Sequence, residues 1–251
     1  MQNSFIKNGF IIKRSESKKA LNYISDFIKI KILKILKSKK KNISLNLLHK
    51  NFNKNEINNT RLKLINFINN DKKFRENYFL LARKSIFEIV GNELAMQTKI
   101  NLSIQMPKDE DSLLPLHSDT WSGDSPFETV LWLPLVNCYK TKSMFILDAK
   151  KEEKFRRIYK DKKIQYSLQL HKKVKKDLKF LKINYGNFLL FNQNLPHGNV
   201  VNETNETRFS LNCRFKGLFT PYNQKQLGNF FSPLIVRPTS KLALAYKYPD
   251  E

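Results

Sequence analysis

Apolar residues recur at helical spacing through roughly the first ninety residues and at strand spacing afterwards. The first region predicts three helices. Ser15 and Ser17 offer N-caps, and Leu21, Ile24, Phe27, Ile28, Ile32, Ile35 and Leu36 then fall on one face. The lysines at 39–41 follow its C-terminal end, where cations complement the helix dipole. A second helix is expected over 62–68. A third follows Asp71, with Phe74, Tyr78, Phe79, Leu81, Ile86 and Ile89 as its apolar face, and ends near Gly91. The first helix is amphipathic enough to lie on a membrane, but such helices more often cover a core, and that is the expectation here.

Beyond residue 100 the pattern changes to short apolar or alternating runs at 102–106, 129–135 and 143–147. Residues 150–163 read as a charged helical insertion, and 180–184 and 188–191 as two strands around a Gly186-Asn187 turn. In 208–215, Arg208, Ser210, Asn212 and Arg214 alternate with Phe209, Leu211, Cys213 and Phe215, which assigns one polar and one apolar face. Helices first and strands afterwards predict an α+β fold rather than alternating βαβ units. With no internal repeat and no linker, one domain is expected over 1–251. It divides into helical support (1–95), a β core (96–220) and a C-terminal extension (221–251).

Composition narrows the class. Lys+Arg 46 against Asp+Glu 22 leaves +24, with a pI near 9.9. Lys, Asn and Ile are abundant throughout, so the charge reads as compositional bias as much as a binding surface. A 41% hydrophobic fraction with nineteen Phe supports a sizeable core and excludes a disordered chain. Two Cys exclude a disulfide scaffold and suit a reducing compartment. No apolar run is long enough for a membrane span, and Lys13, Arg14 and Glu16 interrupt any secretory core, so a cytoplasmic location is expected.

Candidate chemistry gathers around two of the four histidines. His117 and Asp119 stand two residues apart, and on an extended segment both project to the same side. His197 follows the apolar strand at 188–191. Two imidazoles and one carboxylate that leave positions open make the ligand set of non-heme Fe(II) oxygenases. Eleven residues beyond His197 comes Arg208, then Ser210. A guanidinium holds a carboxylate through paired hydrogen bonds, as a 2-oxoglutarate co-substrate would require.

Taken together, His117-Ser118-Asp119, the strand 186–191 leading to His197, and Arg208-Phe209-Ser210 resemble the Fe(II)/2-oxoglutarate dioxygenase superfamily, in its phytanoyl-CoA-dioxygenase-like branch. The resemblance spans roughly residues 102–215. The stretch 116–127 is similar to oxygenases of bacterial carbohydrate and aminoglycoside (streptomycin-type) biosynthetic clusters. It implies a double-stranded β-helix, or jelly-roll barrel, supported by the N-terminal helices. It also implies Fe(II) held by His117, Asp119 and His197, 2-oxoglutarate anchored by Arg208, and O2 as oxidant. Ser210, Gln105 and Thr129 are expected to touch the co-substrate, and Trp121 and Arg214 the substrate. Asp124 and Glu128 read as solvated loop carboxylates, Trp132 as core, and His49 and His171 as structural.

The expected function is hydroxylation, or another oxidation, of a polar carbohydrate-derived small molecule such as a sugar or nucleotide-sugar, with release of succinate and CO2. Nucleic acid is not the expected substrate, and a homo-oligomer is compatible with the reading. One alternative is a nucleic-acid or protein oxygenase (a demethylase) on the same scaffold, suggested by the charge and by the spacing of Arg208 and Arg214. Another is a non-catalytic barrel binding anionic sugars. Iron-dependent conversion of 2-oxoglutarate to succinate separates the last from the others.

Overall fold

The computed structural model describes residues 1–52, 54–147, 149–159 and 174–247. The charged insertion forms a helix over Ala149–Tyr159; the rest of that predicted segment, and His171, lie outside the described residues. The first long helix, α1 (Lys18–Ile35), starts where Ser17 accepts a hydrogen bond from the Ala20 amide at 3.1 Å. The second predicted helix is longer than its apolar run and covers α2 (Lys54–Asn69). Asp71 caps the next, accepting from the Phe74 amide at 2.7 Å.

The third predicted helix is two: α3 (Lys72–Leu80) and α4 (Arg83–Ile89), broken at Ala82. The cause is tertiary. Glu16, distant in sequence, accepts from the Lys84 and Ser85 amides at 2.7 and 3.0 Å and so caps a new helix inside the apolar pattern.

Ten strands are assigned among the described residues, and all their pairings are antiparallel. They are β1 (Phe10–Arg14), β2 (Leu94–Gln97), β3 (Asn101–Gln105), β4 (Glu128–Pro134), β5 (Phe145–Ile146), β6 (Lys179–Phe180), β7 (Asn187–Asn192), β8 (His197–Gly198), β9 (Arg208–Gly217) and β10 (Phe231–Ile235). The large sheet runs β1-β7-β4-β9-β2-β10, with β3 also paired to the first half of β9; the small one runs β6-β5-β8. The two strands expected around Gly186-Asn187 are therefore not partners. β6 ends at Phe180 and belongs to the small sheet, while β7 lies between β1 and β4 in the large one.

On β9 the predicted alternation holds. Phe209, Leu211, Cys213 and Phe215 are fully buried in one core cluster with Ile24, Ile28, Phe74 and Tyr78 of the helices. Tyr78 reaches the sheet directly, donating to the Leu131 carbonyl at 2.7 Å. The helices thus cover the outer face of the large sheet and leave its polar face toward the small sheet. Cys138 and Cys213 are free and buried, and burial pushes both thiols up to about 12. No helix among the described residues is long and apolar enough to cross a membrane.

Candidate metal centre and co-substrate cavity

Backbone pairing brings the two histidines together. The His117 amide donates to the His197 carbonyl at 2.9 Å and the His197 amide returns to His117 at 2.8 Å. Directly opposed residues project to the same side, and the ring centroids lie 4.4 Å apart. Gly198 permits this approach, because a Cβ there would meet the Leu114 and Pro115 carbonyl oxygens at 2.6 and 2.9 Å. Ser118 is extended, so Asp119 returns to the His117 side. The Asp119 amide donates to the Gln193 carbonyl at 3.2 Å.

The three side chains make a donor set suited to a divalent ion. His117 Nε2 and His197 Nε2 stand 3.5 and 3.9 Å from Asp119 Oδ1, and all candidate ligand atoms lie within 4.8 Å of one another. Each imidazole has its Nδ1 against a backbone carbonyl, Pro115 at 2.7 Å and Leu195 at 2.8 Å. A carbonyl only accepts, so Nδ1 carries the proton and the Nε2 lone pair faces the centre. Burial pushes His197 down to about 4, which keeps it neutral at pH 7. Burial works against ionisation of Asp119, but the contact with His117 and the positive charge of Arg214 hold its carboxyl well below the usual range.

A cavity of about 240 Å³ lies between the two sheets, and His117, Asp119, His197, Arg208 and Arg214 all line it. Arg208 is 4% exposed and donates from Nη2 to Ser103 Oγ at 3.0 Å, yet its Nε has no partner. No carboxylate of the described residues pairs with it, and burial pushes it down to about 10. Ser210 Oγ and Gln105 Oε1, also buried, are unpartnered. Gln105 stands opposite Arg208 in the β3–β9 register but spends its amide group on the Val200 carbonyl at 2.8 Å.

Two sequence expectations fall elsewhere. Thr129 is not on the cavity wall: Val130 and Trp132 line it, so strand alternation turns Thr129 to the opposite face of β4. Trp132, expected in the core, is buried in the main core cluster and from there also walls the cavity. Trp121 stacks on Phe155 at 5.6 Å and lines a separate cavity of about 650 Å³. Ser118 and Thr120 also line that cavity, so it lies behind the ligand-bearing segment. Asp124 and Glu128 are not solvated. Each is 1% exposed, and their oxygens lie 3.6 and 3.8 Å from Arg214 Nε. His49 has its Nδ1 2.9 Å from Thr207 Oγ1, away from this centre.

No protein-family model and no curated protein matches the sequence. Solved structures do match. The non-heme monooxygenase ThoJ in its nickel complex aligns over 100% of this chain and 89% of its own, with a TM-score of 0.58 and 12% identity. HygX from Streptomyces hygroscopicus with nickel and 2-oxoglutarate bound aligns over 90% and 88%, with a TM-score of 0.53 and 12% identity. The fold is that of a non-heme oxygenase. A further HygX structure, holding nickel, 2-oxoglutarate and hygromycin B, has a TM-score of 0.50, 12% identity and the same coverage. At such identities the shared property is the non-heme oxygenase fold alone; the donor set and the unpaired arginine are this chain's own.

Ser103, Gln193 and Gln97 carry no motif and escaped the sequence. Ser103 orients Arg208 across the β3–β9 pair, while Gln193 and Gln97 hold Arg214. The Gln193 Oε1 accepts from Arg214 Nε at 3.1 Å, and the Gln97 Oε1 from the Arg214 amide at 3.2 Å. The only advance signal for Ser103 is its polarity within an apolar strand.

Proposed function

We propose that the protein is an Fe(II)/2-oxoglutarate-dependent oxygenase acting on a polar, carbohydrate-derived small molecule. One observation carries the reading: a buried guanidinium with no acid partner among the described residues shares a cavity with a His/Asp/His donor set. A buried cation left unpaired is unfavourable, so the site is built for an anion that arrives with the ligand. In this reading His117, Asp119 and His197 hold iron, and Arg208 with Ser103 and Ser210 takes the distal carboxylate of 2-oxoglutarate. Gln105, opposite Arg208 in the β3–β9 register with its Oε1 unpartnered, is the further candidate contact. The facing sheets form a double-stranded β-helix, and the free buried cysteines fit a cytoplasmic enzyme.

Bound iron would supply oxidation of an unactivated C–H bond by O2, coupled to conversion of 2-oxoglutarate to succinate and CO2. The protein's part is positional. The carbonyl-bound Nδ1 groups fix both imidazoles, Arg208 orients the co-substrate, and Val130, Trp132 and Phe191 give the cavity apolar walls that exclude water. Hygromycin B bound in HygX motivates the carbohydrate assignment. The test is to supply Fe(II), 2-oxoglutarate and O2 with aminoglycosides, amino sugars and nucleotide sugars, and to read succinate and product masses. Iron-dependent succinate, with a sugar product 16 mass units heavier as the arithmetic of one added oxygen atom requires, is the expected result. Absence of iron-dependent succinate overturns the proposal.

A further inference from the structure

Arg214 sits on the same face of β9 as Arg208, but its surroundings are the reverse. Its Nη2 lies 3.1 Å from Asp119 Oδ2. The other oxygen of that carboxylate, Oδ1, is the one facing both imidazole Nε2 atoms. The two oxygens are therefore divided: one toward the metal centre, one occupied by the guanidinium.

The guanidinium is itself held in place. Gln193 takes its Nε, and Asp124 and Glu128 lie within 3.8 Å of the same nitrogen. Lys225 completes the cluster at 2.6 Å from Asp124 Oδ2. The neighbouring carboxylates offset the charge of Arg214, so a cation beside a metal ion repels it less than an isolated one would. Arg214 is accordingly committed to acids of its own chain and does not present a free cation to an anionic substrate.

We propose that Arg214 is a positioning residue that restricts Asp119 to binding metal through Oδ1 alone. A carboxylate with both oxygens free can chelate one ion and consume a coordination position; a guanidinium on Oδ2 prevents that. Positions are then kept for the co-substrate and O2. The inference rests on the iron and 2-oxoglutarate reading above, and its test keeps the two separable.

The experiment uses the metal-free full chain as wild type, Arg214→Lys and Arg214→Gln. Each is titrated with Co(II), whose visible bands report coordination number, and then with 2-oxoglutarate. The expected result is that all three retain one Co(II) while both variants change the bands and weaken 2-oxoglutarate binding by roughly tenfold or more, about 1.4 kcal/mol or more. Unchanged bands and affinity overturn the inference. So does loss of Co(II) from both variants, which would make Arg214 a support of metal affinity. Wild type that binds no metal overturns the parent reading instead. A second measurement needs no variant: the infrared difference spectrum of wild type with and without Zn(II). A wide separation of the carboxylate stretches supports one-oxygen binding; a narrow one, the mark of chelation, overturns it even if both variants fail to fold.

Discussion

Replacing Arg208 by Met separates a binding group from a structural one through the sign of its effect. The guanidinium is buried, lacks an acid partner among the described residues, and titrates near 10 instead of its ordinary 12.5. A depressed cation destabilises the fold at every pH below its folded value. At about 1.4 kcal/mol per pH unit, the penalty is about 3 kcal/mol in the ligand-free protein at neutral pH. Met keeps most of the buried volume and removes the charge. The loss is the hydrogen bond to Ser103, roughly 1.5–3 kcal/mol for a charged donor. The balance is a ligand-free variant as stable as wild type or up to about 1.5 kcal/mol more stable, equivalent to a Tm rise of at most about 6 °C for a chain of this size. Substituting an ordinary well-packed buried residue would instead destabilise. The co-substrate effect runs the other way. Removing one partner of a buried ion pair costs roughly 3–5 kcal/mol, so 2-oxoglutarate affinity falls by two to three orders of magnitude or more. Thermal melts with and without 2-oxoglutarate read both effects. A clearly destabilised Arg208→Met variant that still gains Tm from 2-oxoglutarate would refute the reasoning.

Three further outcomes follow from the same geometry. His197→Ala leaves two protein ligands and is expected to lose Fe(II) and 2-oxoglutarate turnover while staying folded; metal analysis and circular dichroism check it, and retained iron would dismiss the donor set. Ser103→Ala should weaken 2-oxoglutarate binding by roughly tenfold or more, in line with a charge-assisted hydrogen bond, whereas Thr129→Val, on the far face of β4, should leave it unchanged; calorimetry compares the two. Burial and then the Asp124 charge hold Glu128 up to about 7 instead of 4.5, so the native state binds a proton that the unfolded chain releases between those values. Its contribution to stability therefore falls as pH rises through that window, by about 3 kcal/mol. The difference in unfolding free energy between wild type and Glu128→Gln should shift by that amount between pH 4 and 8, and a pH-independent difference would contradict it.

Much of the candidate site was legible because its residues recur at short, chemically meaningful spacings. His117 and Asp119 are related by strand geometry, and Arg208, Ser210, Asn212 and Arg214 by the period of two along β9. A helix cap was legible for the same local reason at Ser17. Misreadings arose where a distant residue intervened. Glu16 split a continuous helical pattern into α3 and α4. Asp124 and Glu128, polar and near a turn, looked solvated until β9 brought Arg214 against them. The face chosen by Thr129 depended on strand phase, and a shift of one residue exchanges the two sides of a strand.

By itself, then, the sequence determined the residue types able to hold a metal and an acid, and most of the longer helices and strands, though not β1, β2 or β10, which pairing in the large sheet places. Both follow from local periodicity and side-chain chemistry. Tertiary structure decided which of the two arginines is free. Arg208 and Arg214 are the same residue type on the same face of one strand, six positions apart. One meets a serine and an open cavity, the other Asp119, Asp124 and Glu128. The distinction is electrostatic: a buried cation takes its role from the charges that packing brings within a few ångströms, and those come from strands and loops far away in sequence.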